Sequence, residues 1–235
     1  MHVKAVVFDL DGTLASFNLD YKTVRARVKA HLIQNGIPDS LVSVNKSVFE
    51  MLRKTENWAR KAGKSDEFIQ EVRDGALAIT EKHELEAASS TTLMPGVAET
   101  LKALRGMGLK IGLCTINSQK SVTTILERFG IAELFDVTVT RNQVAHVKPD
   151  PEHIEAALNV LGVSAREAVI VGDSSVDMRS ARLLEAVAVG LPTGVSTVEQ
   201  LTSNGADYIV TSMFDLPALI EKIDKSRSEN VKGKR

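Results

Sequence analysis

Val6-Val7-Phe8-Asp9-Leu10-Asp11-Gly12-Thr13-Leu14 is the stretch on which the reading of this chain turns. A short apolar run delivers two carboxylates, two residues apart, into a glycine turn. If the strand continues, alternation sets Asp9 and Asp11 on the same side. If the chain coils at Gly12, both can still converge on one ion. Neighbouring carboxylates repel and raise a pKa unless a cation lies between them, and a hard, oxygen-loving metal such as Mg²⁺ accounts for both being ionised. A solvated Asp-Gly turn, a common hairpin signal, is the competing reading of this stretch alone. An EF-hand loop is excluded, because it needs glycine at its sixth position and, counting from Asp9, that residue is Leu14.

Outward from this stretch the pattern changes twice. From about residue 20 to 92 it is helical: Val24, Val28 and Leu32 recur every four residues, and Val48, Met51 and Leu52 suggest a second helix ending before Gly63. Phe68, Val72, Leu77 and Ile79 suggest a third helix and a fourth, and Ser89-Ser90-Thr91-Thr92 reads as a linker. Beyond Pro95-Gly96, strands at 109–114, 135–139, 168–171, 186–189 and 208–210 alternate with helices. Two of those helices carry clear punctuation: Ser118 before and Gly130 after one, Pro151 and Gly162 at the ends of the other. A last helix is read over 216–223, and residues 226–235 as a polar, basic tail without structure. Alternating strands and helices predict an α/β fold with a parallel sheet. The core then comprises 1–17 and 93–225, with 18–92 inserted after the first strand. In such sheets ligands bind beyond the carboxyl ends of the strands.

Composition narrows the function. The chain has 235 residues, 43% of them apolar, and a formal net charge of −1. That balance calls for neither nucleic acid nor an acidic membrane as partner. No apolar run approaches the roughly 18 residues of a membrane span. The chain enters a strand directly after its first residues, so no signal peptide is expected. The single cysteine, Cys114, fits a reducing cytoplasm and is read as a small hydrophobe in a strand.

Three further motifs fall at predicted strand ends. Thr115-Ile116-Asn117-Ser118 offers a hydroxyl, an amide and a helix N-terminus, which together can cradle an anion; a plain helix cap is the alternative. Lys148-Pro149-Asp150-Pro151 aims one ammonium from a stiffened segment, as phosphate neutralisation would use, or is a surface loop. Gly172-Asp173-Ser174-Ser175-Val176-Asp177 ends a strand in one carboxylate with a second four residues on; both can face one pocket, or form an acidic first turn.

Taken in order, Asp9-x-Asp11-Gly12-Thr13, Thr115, Lys148-Pro149 and Gly172-Asp173-x-x-x-Asp177 resemble the haloacid dehalogenase (HAD) superfamily, in particular its phosphoglycolate phosphatase and β-phosphoglucomutase-like subgroup. Ile116 separates Thr115 from Asn117, where many relatives place the asparagine directly after the hydroxyl residue. The resemblance implies a Rossmann-like, doubly wound parallel sheet with an inserted small α-helical cap over 18–92. It also implies an Mg²⁺-dependent phosphatase acting on a small phosphorylated metabolite through an aspartyl phosphate. Asp9 would be the nucleophile and Asp11 the proton donor, and then the base that activates water. Thr115, Asn117 and Lys148 would hold the phosphoryl oxygens. Mg²⁺ would be held by Asp9, by the backbone carbonyl of Asp11 and by Asp173, with Asp177 as a further ligand or a group that orients the others. Asp11 itself argues against a dehalogenase, since a halide leaves without a proton. Among the basic residues of the inserted block, Lys22 and Arg25 lie nearest the first motif as candidates to meet an anionic leaving group. A sugar phosphomutase of the same superfamily is the alternative, and a phosphoacceptor signalling module a more distant one.

Overall fold

Ala5–Phe8 forms the first strand, β1, with every residue buried. The computed structural model describes residues 2–16 and 18–232. After β1 come α1 (Tyr21–Gln34), α2 (Val48–Lys61) and α3 (Asp66–Ser90), then α4 (Val97–Gly106), β2 (Lys110–Thr115), α5 (Gln119–Phe129) and β3 (Val137–Thr140). The chain continues through α6 (Pro151–Leu161), β4 (Ala168–Gly172), α7 (Ser175–Leu183), β5 (Val187–Gly190), α8 (Val198–Ser203), β6 (Tyr208–Ile209) and α9 (Leu216–Lys232). Two compact units result, Met1–Phe17 with Thr91–Arg235, and Asn18–Ser90.

The larger unit is a parallel six-stranded sheet in the order β3-β2-β1-β4-β5-β6. Central strands buried on both faces read as continuous apolar runs, as in Ala5-Val6-Val7-Phe8 and Ala168-Val169-Ile170-Val171. Alternation then divides β1. Ala5 and Val7 join Ile154, Leu158, Leu161, Ile170, Met178 and Ala181 in one apolar cluster under α6 and α7. Val6 and Phe8 point to the other face. Chain order reverses at β1, which pairs with β2 on one side and β4 on the other, and in such sheets ligands bind beyond the strands' carboxyl ends at this switch point.

The smaller unit is a three-helix packing around Val24, Val28, Leu32, Met51, Leu52, Val72 and Ala76. Asp20 and Ser47 cap α1 and α2 by accepting backbone N–H groups at 3.1 Å.

Three expectations are corrected. The third and fourth helices are one, α3, of 25 residues running through Ser90, so two residues of the expected linker are helical. Gly75 does not break it, because a Cβ there would strike the imidazole of His31, at 2.6 Å from Nε2; glycine admits α1 at this crossing. The short α8 was not foreseen. The tail read as unstructured from residue 226 is instead helical through Lys232, since α9 meets no glycine until position 233 and lysine, arginine and glutamate extend a helix readily. Residues 233–235 of that tail lie outside the described residues. No helix among the described residues is long and apolar enough to cross a membrane.

Candidate active site

Asp9 follows β1 by one residue, and its N–H donates to the carbonyl of Val171 at 2.9 Å. The chain then turns back sharply: Leu14 and Ala15 donate to the carbonyl of Leu10 at 2.8 and 2.9 Å, with Gly12 at φ 77°. Gly12 is required there twice over. Its φ is left-handed, and a Cβ would come 2.6 Å from the Asp173 carboxylate. Asp173 continues from β4 and lies against the backbones of Gly12 and Gly194, accepting the Val195 N–H at 2.8 Å.

Asp177 stands in the first turn of α7. Its Oδ2 accepts Ser174 N–H at 3.2 Å and the Ser174 hydroxyl at 2.5 Å, which completes a reciprocal cap. Its Oδ1 accepts Lys148 Nζ at 2.6 Å. Both oxygens are thus engaged. Lys148 Nζ also donates to Asp9 Oδ1 at 2.6 Å and to the carbonyl of Cys114 at 2.8 Å, so all three ammonium donors are used. The lysine is fixed at its other end as well, where its backbone N–H donates to His153 Nδ1 at 3.3 Å. Burial, and then the Lys148 charge, hold that imidazole neutral by lowering its pKa to about 3. Thr115 closes β2, buried, and its Oγ1 accepts the Asn117 N–H at 3.3 Å. Asn117 Nδ2 donates to Asp11 Oδ2 at 2.7 Å.

Charge decides what the cluster can hold. Asp9, Asp173 and Asp177 offer oxygens all within 4.8 Å of one another. Ionised, they carry three negative charges against the single ammonium of Lys148. Burial raises Asp9 to about 6; Lys148 opposes this and Asp177 adds to it. Burial, with Asp9 and Asp177 nearby, raises Asp173 to about 8. Burial by itself would lower Lys148, but Asp177 and Asp9 outweigh it and hold the proton on. An all-oxygen set with surplus negative charge and protons it would release is what a hard divalent cation fits. A second group, His146, Asp150 and Glu152, is mostly exposed: Glu152 accepts His146 and two backbone N–H groups, and Asp150 caps α6.

The seven residues given a catalytic, phosphate-binding or metal role in the sequence are joined by contacts beyond the carboxyl ends of β1, β2 and β4. Asp9, Asp173, Asp177 and Lys148 form its charged centre. Asp11 does not add its carboxylate to the three gathered ones; it meets Asn117 instead. Cys114 is buried, with burial pushing its thiol up to about 12, and serves the site through its carbonyl. Sequence reasoning missed His153, Ser174, Arg141 and Gly194-Val195. The Ser174-x-x-Asp177 spacing is a capping signal that could have been read. No local pattern marks the other contacts, which join distant segments.

A switch-point crevice in a parallel α/β sheet, lined by carboxylates around one buried lysine and built on a chain with a helical insertion after its first strand, defines a class of phosphate-handling hydrolases. The family model for haloacid dehalogenase-like hydrolases matches residues 3–184, and the chain belongs to that family. It is 30% identical over 224 residues to a plasmid-encoded phosphoglycolate phosphatase of Cupriavidus necator, covering 92% of each chain. It is likewise 30% identical over 220 residues to the pyrophosphatase PpaX of Bacillus velezensis, covering 91% of this chain and 94% of that one. Among solved structures, a hydrolase from Pseudomonas syringae superposes with a TM-score of 0.67 at 24% identity, over 94% of this chain and 99% of that chain, a likeness of fold. The chain is an enzyme, a phosphatase of this family.

Proposed function

We propose that the chain is an Mg²⁺-dependent phosphatase of small phosphomonoesters that works through a phosphoryl group carried on Asp9. The observation that carries the proposal is the position of Asp9: its carboxylate ends the central strand, 2.6 Å from a buried lysine and within 4.8 Å of two further carboxylates. Asp9, Asp173 and the backbone carbonyl of Asp11 would hold the cation, with Asp177 as a further ligand or a group that orients the others. When bound, the cation offsets the negative charge shared by the carboxylates and the phosphoryl oxygens.

In the first half-reaction a carboxylate oxygen of Asp9 attacks phosphorus. The P–O bond to the substrate alkoxide breaks as Asp11 transfers a proton to that oxygen. In the second, Asp11 takes a proton from water, the water oxygen bonds to phosphorus, the P–O bond to Asp9 breaks and inorganic phosphate leaves. Lys148 limits repulsion between Asp9 and the incoming anion, and Thr115 offers a hydroxyl to a phosphoryl oxygen. In this reading the helical unit selects the substrate, and Lys22 and Arg25 of α1 are the first residues to substitute for that role.

The relatives suggest substrates. Phosphoglycolate is favoured by the Cupriavidus and Salmonella typhimurium phosphatases, each 30% identical. Pyrophosphate is a second reading, because PpaX proteins match as closely. Cytoplasmic location fits the lone, buried, unpaired thiol. The test is phosphate release from p-nitrophenyl phosphate, phosphoglycolate, sugar phosphates and pyrophosphate, with Mg²⁺ and with EDTA. Many turnovers, lost in EDTA and restored by Mg²⁺, are expected. Release that needs an added sugar bisphosphate would favour a mutase, and a single stoichiometric phosphorylation would favour a phosphoacceptor module.

A further inference from the structure

We infer that Asn117, locked in place by Arg141, is the positioning residue for Asp11 and not a phosphate ligand; the inference rests on the proton-donor role proposed above for Asp11. Asn117 is 5% exposed, and its side-chain amide donates to Asp11 Oδ2 at 2.7 Å. The amide cannot easily turn toward another partner, because the segment carrying it is held on several sides. Asn117 N–H donates to Thr115 Oγ1 at 3.3 Å, and the next residue, Ser118, caps α5. Arg141, 6% exposed at the end of β3, holds the segment twice: its backbone N–H donates to the carbonyl of Asn117 at 3.3 Å, and its Nη1 to the carbonyl of Ile116 at 3.1 Å. One strand end therefore fixes the loop of the next, and that loop fixes the carboxyl group of a third.

The chemistry needs such a constraint. Asp11 stands just before the turn at Gly12, and a carboxyl group that rotated would spend little time with its proton directed at the departing oxygen. A neutral N–H at Oδ2 fixes the rotamer and favours Oδ1 as the oxygen that carries the transferable proton.

Leaving groups separate this role from a phosphate-binding or purely structural one. Nitrophenolate departs without a proton; an alkoxide does not. Asn117→Ala is expected to lower kcat/KM on phosphoglycolate, or another alkyl ester that the wild-type chain turns over, by about 10²-fold, the lower end of what general acid catalysis supplies. On p-nitrophenyl phosphate kcat/KM should fall by less than about 3-fold, because that ratio reports only the steps up to phosphoryl transfer to Asp9, and the water-activating step that also uses Asp11 comes after it. Asn117→Ser, which keeps a shorter donor, should lie between, and carries the comparison if the alanine variant does not fold. Arg141→Met should shift the ratio in the same direction by less. Equal losses of kcat/KM on the two esters would overturn the inference. Asp11→Ala is measured in parallel. Selective loss there without selective loss in the Asn117 variants sinks the positioning role alone; no selectivity in Asp11→Ala sinks the proton-donor reading and this inference with it.

Discussion

Lys148 places one positive charge between the carboxylates of Asp9 and Asp177, with its side chain 4% exposed. Removing one partner from a buried ion pair costs about 3–5 kcal/mol, since the remaining charges are left unpaired. Lys148→Met should therefore lower stability at neutral pH by about 3 kcal/mol as well as abolish turnover. Saturating Mg²⁺ should restore part of that loss, because the cation meets the same carboxylates; chemical denaturation with and without Mg²⁺ reads both. A variant as stable as the wild type would show that the ammonium does not balance them. Which residues gather at the candidate site was legible at this scale, since Asp9, Thr115 and Asp173 stand at or just past strand ends and Lys148 and Asp177 belong to short motifs. What they touch was not. Nothing near Asn117 in the sequence indicates Asp11 as its partner, and nothing near Lys148 indicates the carbonyl of Cys114.

Among the elements, α3 shows where propensity misleads. Gly75 lies in the interior of a helix, where alanine would ordinarily gain about 1 kcal/mol. Here the His31 ring occupies the space of a Cβ, and it is held by hydrogen bonds to the Val72 carbonyl at 3.1 Å and toward Asn35 at 3.5 Å. Overpacking against a fixed ring costs about 1–3 kcal/mol, so it wins. Gly75→Ala should lower Tm, and the same substitution in a His31→Ala background should raise it. A rise in both backgrounds would show that the ring moves aside freely. Phe68, Val72, Leu77 and Ile79 suggested two helices where the chain forms one, α3, and the glycine inside it serves packing. Strands were easier. β1 and β4 carry short apolar runs bounded by polar motifs, the pattern of a strand buried on both faces. α6 is framed by Pro151 and Gly162 as read, whereas α9 runs on past the apolar positions that the sequence marked.

Across the whole molecule, stability and ion binding are linked through pH. Asp9 and Asp173 have folded-state values of about 6 and about 8, above the ordinary carboxylate value near 4. Between those limits the folded chain keeps protons that the unfolded chain has released. Their contribution is therefore largest at acid pH and is lost as pH rises toward 8. A divalent cation displaces those protons, so the Mg²⁺-induced rise in Tm should grow from pH 5.5 to pH 8. Scanning calorimetry in EDTA and in Mg²⁺ at both pH values checks this; a shift independent of pH would mean that the cation binds elsewhere. At this scale the sequence was most informative. Four motifs of modest individual weight agreed on one crevice, because a parallel sheet collects its strand ends at a single edge.

The most direct test of the account is chemical trapping on Asp9. Enzyme mixed with excess substrate and Mg²⁺, quenched during turnover and reduced with borohydride, should have an acyl phosphate at position 9 converted to homoserine, identifiable by peptide mass spectrometry. Homoserine at position 9, dependent on substrate and absent from Asp9→Asn, is the predicted result. Steady turnover with no reduction product, or with the product at any other carboxylate, would contradict the account.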